Sequence, residues 1–156
     1  AGLTPASAAV VAGALPSLSS SLKMLDLGGN PDLGDAGVVV MCGALSAHGR
    51  VLRRLSLWYT GMGARGAIAL AGLLPLLEVL EELDVGDTAN LTAAAAATLM
   101  EALPARLCVL GLQHDLSYTH AAGALWDGLA RRGTAGLELL DLSSCSGFVE
   151  ADVVRR

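Results

Sequence analysis

A solenoid of repeated strand–helix units is the α/β fold that this sequence predicts, and three observations predict it. A single pattern, Leu-x-x-Leu-x-Leu-x-x followed by a small or polar residue, occurs five times, with Val85 replacing one leucine in the third copy. The first leucines of the copies, Leu22, Leu52, Leu80, Leu107 and Leu137, are 30, 28, 27 and 30 residues apart. Between the copies lie apolar stretches of helical character, two of them closed by Leu-Pro. Near-constant spacing of this kind marks an architecture in which each unit buries its apolar face against the next.

Each copy contains a strand, because its Leu-x-Leu core alternates with period two and so buries one face. The five strands fall around Leu25–Leu27, Leu55–Leu57, Leu83–Val85, Leu110–Leu112 and Leu140–Leu142. Asn30, Thr60, Thr88, Asp115 and Cys145 occupy the place where the chain turns away from the strand. A side chain there can satisfy exposed backbone groups. Only the first unit uses asparagine, so the turn ladder is expected to be weaker than in an ideal solenoid.

Helices are predicted over residues 38–45, 66–74, 92–103 and 121–129, with Asp35 as N-cap of the first. Leu74-Pro75 and Leu103-Pro104 are stop signals, since proline cannot continue the hydrogen-bond ladder. Residues 3–15 end in the same way, at Leu15-Pro16. They read as the helical half of an earlier, partial repeat covering residues 1–21. The tract Ala93 to Ala97 predicts a thin helix packed close to its neighbours. One domain over residues 1–156 is expected, with repeats starting near 22, 52, 80, 107 and 137. Both ends read as cut in mid-pattern, which implies a longer chain or a place in a complex.

Composition agrees. The chain has 156 residues, 53% hydrophobic and 16% charged, which excludes disorder. Aromatics are 3%, so Leu, Val and Ala must fill the interior. Thin, similar layers suit such a core. The net charge of −5 argues against nucleic acid as a partner, which would need a basic stripe. No charge occurs from Ala1 to Leu22, but Pro5, Pro16 and the serines dilute that run, so membrane insertion is not expected. Cys42, Cys108 and Cys145 are odd in number and lack CxxC spacing. They predict free thiols in a reducing intracellular compartment, the cytoplasm first and an organelle second.

The units resemble the ribonuclease-inhibitor subclass of leucine-rich repeats. Residues 22–37 carry the resemblance most closely, including Asn30, Leu33, Gly34, Asp35 and Gly37. It implies a curved parallel sheet on the concave side, helices on the convex side, and a module that binds a protein or serves as a scaffold in a larger assembly. The same class contains GTPase-activating regulators and the sensor domains of immune-type receptors, which are the alternatives. Arg54 would project from the concave face, but no family motif assigns it a catalytic role.

With the leucines inward, the third, fifth and seventh residues of each unit face outward in columns. The fifth-position column reads Asp26, Ser56, Asp84, Gly111, Asp141; the seventh reads Gly28, Trp58, Gly86, Gln113, Ser143. Asp26, Trp58, Tyr59, Asp84, Gln113, His114 and Asp141 are therefore the candidate partner-binding residues. An aromatic anchor in an acidic strip suits a basic peptide or protein surface. Equally, Trp58 can simply cover its small neighbours while the acids keep the face hydrated. Arg53 and Arg54 are expected to face Glu81 and Glu82 in structural pairs.

Catalysis is not expected. His114-Asp115 follows the fourth strand, but no nucleophile, metal-ligand triplet or phosphate-binding glycine loop accompanies it. No cofactor and no metal are implied.

Overall fold

The computed structural model describes residues 2–88, 91–113, 127–131 and 136–141. Five short strands are present: β1 Met24–Asp26, β2 Arg54–Ser56, β3 Glu82–Asp84, β4 Val109–Gly111 and β5 Leu139–Asp141. They form one parallel sheet in the order of the chain. The register pairs Leu25 with Leu55, Leu55 with Leu83, Leu83 with Leu110, and Leu110 with Leu140. Equivalent positions of the sequence repeat are thus neighbours in space.

The helices are α1 Pro5–Leu18, α2 Gly34–His48, α3 Ala64–Leu73 and α4 Ala93–Glu101, with a further helical turn at 127–131. α1 packs on α2, α2 on α3 and α3 on α4. The core lies between this layer and one face of the sheet. Leu52, Leu80 and Leu107 open their units and are fully buried, as are Leu57, Leu70 and Leu74. Leu33 and Met62 close the strand-to-helix loops from inside. Burying each such side chain contributes about 1.5–3 kcal/mol.

The fold class and the placement of strands and helices agree with the sequence reading. The first helix occupies Pro5–Leu18 and is stopped less sharply than Leu15-Pro16 predicts. Pro16 sits in its last turn, where its missing N–H removes one i→i−4 bond and the helix ends two residues later. Thr4 and Ser7 form a capping box at its start. Pro75 lies in a 3₁₀ turn, Leu74–Leu76, that ends the α3 segment. The predicted helix 121–129 falls largely outside the described residues.

Asp35 corrects an expectation. It does not cap its own helix, whose N-cap position is Leu33. Its Oδ1 instead accepts the backbone N–H groups of Gly63 and Gly66, both at 2.7 Å, at the start of α3. The carboxylate projects sideways into the next unit and caps the neighbouring helix.

Asn30 behaves as expected of a turn residue. Its Nδ2 donates to the carbonyls of Leu27 (2.7 Å) and Gly28 (3.0 Å), and its Oδ1 accepts from Leu3 N–H (2.8 Å). In the next unit the Thr60 hydroxyl makes one such bond, to Leu57 O at 2.8 Å. The alanine tract allows close packing: Ala95 and Ala96 are buried. Further along the same helix, Met100 Cβ would lie 2.5 Å from a Cβ on Gly128, so only glycine fits at position 128. Among the described residues no helix is long and apolar enough to cross a membrane.

Candidate functional site

The sheet face turned away from the helices carries no covering element among the described residues. It is hollowed into a groove of about 370 Å³ that runs across all five strands. Two rows of side chains line it. One row is the fifth position of each unit: the register aligns Asp26 with Ser56, Ser56 with Asp84, Asp84 with Gly111, and Gly111 with Asp141. The other is the third position, Met24, Arg54, Glu82, Val109 and Leu139.

The acidic row is locally organised by backbone hydrogen bonds. Asp26 Oδ1 accepts Gly28 N–H at 2.8 Å, and Asp84 Oδ1 accepts Gly86 N–H at 3.0 Å. Each carboxylate therefore folds towards its own strand end. Gln113 reaches back into the row, its Nε2 donating to Asp141 Oδ2 at 2.9 Å. Two glycines make room for it. A Cβ on Gly86 would lie 2.4 Å from Gln113 Oε1, and one on Gly111 would lie 2.9 Å from Asp84 Cγ.

The Asp84 carboxyl is raised above the usual carboxylate range. Burial is the largest cause, and the charges of Asp141 and Asp26 add to it. The Gly86 N–H and the Gln113 amide pull the other way. Among the described residues neither Asp26 nor Asp84 takes part in an ion pair. The carboxylates of Asp26 and Asp84 thus have no cation of their own beside them among the described residues.

The predicted pairs across strands β2 and β3 are present. Arg53 pairs with Glu81, and Arg54 Nη2 lies 2.9 Å from Glu82 Oε1. Arg54 is therefore held by Glu82 at the middle of the third-position row. Met24 is 60% exposed at one end of that row, and Val109 and Leu139 stand half-buried at the other. Sequence reasoning passed over these three apolar positions. The same period-two alternation that found the acids would have found them.

Asp26, Asp84, Gln113 and Asp141 are brought together in the groove. Trp58 and Tyr59 stand beyond its wall, at the strand-to-helix turn, and are 39% and 43% exposed. Their ring centroids are 5.7 Å apart with planes at 46°. The Trp58 ring leans towards Gly29, where a Cβ would lie 3.9 Å from Cζ3. Tyr59 has φ of 49°, in the left-handed region that Gly29 (73°) and Asp87 (53°) also adopt in their units. The backbone bonds of that turn explain the shared conformation: Gly29 N–H donates to Trp58 O, Tyr59 N–H to Gly86 O and Asp87 N–H to Gln113 O. His114 lies outside the described residues, as do Asp115, His120 and Cys145. No group of three His, Cys, Asp or Glu side chains among the described residues is arranged to hold a metal ion.

Units of about 28 residues, one open parallel sheet, a helix layer on one face and a bare groove on the other define a leucine-rich-repeat solenoid. In sequence the chain is similar to leucine-rich-repeat proteins of the ribonuclease-inhibitor-like subclass. The family model described as leucine rich repeat matches residues 18–42. A ribonuclease inhibitor of Sus scrofa is 39% identical over 84 residues, which are 54% of this chain and 18% of that protein. The match thus spans less than a fifth of the relative's length. Among solved structures, a Caenorhabditis elegans tropomodulin C-terminal domain superposes with a TM-score of 0.57 at 14% identity, covering 80% of this chain and 95% of that one. Leiomodin-1 actin-binding site 2 gives 0.55 at 12% identity, covering 78% and 88%. At those identities the likeness is one of fold.

Proposed function

We propose that this chain is a protein-interaction module that binds a basic partner through the groove on its bare sheet face. The observation that carries the reading is the row Asp26, Asp84, Asp141, in which the Asp84 carboxyl is raised by burial and by its acidic neighbours, and neither Asp26 nor Asp84 has an ion-pair partner among the described residues. Electrostatic crowding of this kind is relieved when a cation of a partner enters. A protein-binding role agrees with the name of the ribonuclease inhibitor that the chain resembles and with the fold it shares with an actin-binding site. Gln113 would orient the acids, and Trp58 and Tyr59 would extend the surface at its rim, where exposed aromatics are enriched in interfaces. The reading is of binding without catalysis, by one repeat domain acting alone or as a subunit of a larger assembly. The buried thiol of Cys42 suits a reducing intracellular compartment.

Titration calorimetry of the chain against basic, neutral and acidic peptides tests this. Only the basic peptides should bind, more weakly as salt rises. Asp26→Asn, Asp84→Asn and Asp141→Asn together should weaken binding about tenfold or more. Unchanged affinity in the triple variant would reject the groove as the binding surface.

A further inference from the structure

We propose that the occupant of the groove is a basic amphipathic α-helix lying across the strands, with lysine or arginine at every seventh position. The inference rests on the reading of the groove as a protein-binding surface and adds the conformation of the partner.

Its first ground is the interval between charges. Asp26, Asp84 and Asp141 sit on β1, β3 and β5, each separated from the next by one intervening strand. Strands lie about 4.8 Å apart, so the carboxylates recur at about 9.6 Å along the groove. A rod lying in the groove must offer cations at that interval on one face. In an extended strand, side chains on one face recur at about 6.7 Å and again at about 13 Å, and both miss. In an α-helix, residues i and i+7 share a face and lie about 10.5 Å apart, within the reach of long lysine and arginine side chains. A polyproline II rod also fits the interval, at about 9.3 Å between i and i+3.

The second ground separates these two. The third-position row runs beside the acids, two residues earlier on each strand and so about 6.8 Å away. It is apolar at its ends, Met24 on one side and Val109 with Leu139 on the other. Its central cation, Arg54, is held by Glu82. The partner must therefore meet a negative row and a mainly apolar row at once. An α-helix is about 10–12 Å wide with its side chains, and its i+3 and i+4 positions form a stripe beside the i, i+7, i+14 stripe. Cations on one stripe and aliphatics on the next match the two rows. A polyproline II segment is slimmer; seated over the acids it leaves the apolar row bare. The five strands span about 19 Å, enough for three cations within about fifteen residues of helix.

The test uses the full chain and synthetic peptides of about 18 residues that carry the same number of arginines. One carries arginine at i, i+7 and i+14 with leucine at the i+3 and i+4 offsets. A second permutes the arginines to five-residue spacing, a third places proline at the centre of the first, and a fourth sets arginine every third residue in a proline-rich frame. The expected result is binding of the first at least about tenfold tighter than the others, a gain of helical ellipticity on mixing, and loss of that preference in Asp84→Asn/Asp141→Asn. Equal binding of the permuted or proline-broken peptide, or preference for the proline-rich one, overturns the helix while leaving a basic partner in the groove. Failure of every basic peptide to bind, or affinity indifferent to the asparagine substitutions, overturns the groove reading itself.

Discussion

Asp35 Oδ1 lies 2.7 Å from the backbone nitrogen of Gly66, so one unit's carboxylate caps the helix of the next. The same oxygen takes the Gly63 N–H. Two of the donors that every helix start leaves unpaired are thereby satisfied across a unit boundary. The charge also sits at the positive end of the α3 dipole. Asp35→Ala should therefore destabilise the chain by about 1–2 kcal/mol, measured by urea unfolding. Asp35→Asn keeps an acceptor and loses the charge, so it should fall between the two. A variant as stable as the parent would show the cap to be dispensable.

Titration of Asp84 carries a definite sign. Its carboxyl is raised above the ordinary carboxylate value in the folded chain, so the fold binds its proton more readily than the unfolded chain does. Stability from this group is therefore greatest below the ordinary carboxylate value and is lost as pH rises through the raised one. Asp84→Asn should raise Tm at pH 7 by about 1–2 °C, a figure kept small because the side chain is half-exposed. The gain should vanish below about pH 4. A gain unchanged at low pH would mean that charge is not its cause.

Arg54 and Glu82 pair at 2.9 Å on an exposed face. A double-mutant cycle with alanine at both positions should give a coupling of about 0.2–1 kcal/mol. That coupling should shrink in about 1 M salt, where the screening length is about 3 Å. A salt-insensitive coupling would place the interaction in the packing of the two stems and not in their charges.

Leu83 is buried on the inner face of the middle strand, paired with Leu55 and Leu110. Leu83→Ala should cost about 2–5 kcal/mol, because the lost transfer energy is compounded by a cavity. Val10→Ala, on the outer face of α1 and 76% exposed, should cost less than about 0.5 kcal/mol. Calorimetric unfolding of the two variants checks the layer assignment directly.

Cys42 is buried and its thiol is pushed up to about 12 by burial. Cys108 is half-buried, its S–H donating to Arg106 O at 3.3 Å. Timed alkylation at pH 8 with peptide mapping should label Cys108 well before Cys42, since the thiolate is the reactive form. Simultaneous labelling would mean that the helix layer around Cys42 opens as readily as the surface.

Much of this architecture was legible because the repeat solves the strand pairing. When five copies of Leu-x-x-Leu-x-Leu recur at a fixed period, stacking them in register is the arrangement that buries every leucine. The columns Asp26, Ser56, Asp84, Gly111, Asp141 and Met24, Arg54, Glu82, Val109, Leu139 follow from that register and the two-residue alternation. The pairing of Arg53 with Glu81 and of Arg54 with Glu82 follows too. The turn position was read as a place for a side chain, and Asn30 fills it with three hydrogen bonds.

Three features depended on tertiary contacts. Asp35 stands in its own helix by sequence, yet its carboxylate serves Gly63 and Gly66, a choice set by how far the next unit lies from it. Trp58 shares a column with Gln113, yet Gln113 turns into the groove over Gly86 and Gly111 while Trp58 leans outward towards Gly29. The raised carboxyl of Asp84 arises from the burial and charges that neighbouring strands impose. Period, register and facing belong to the chain, because they depend on the spacing of apolar residues along it. The reach of a side chain across a unit boundary depends on distances between units, and those exist only once the stack has formed.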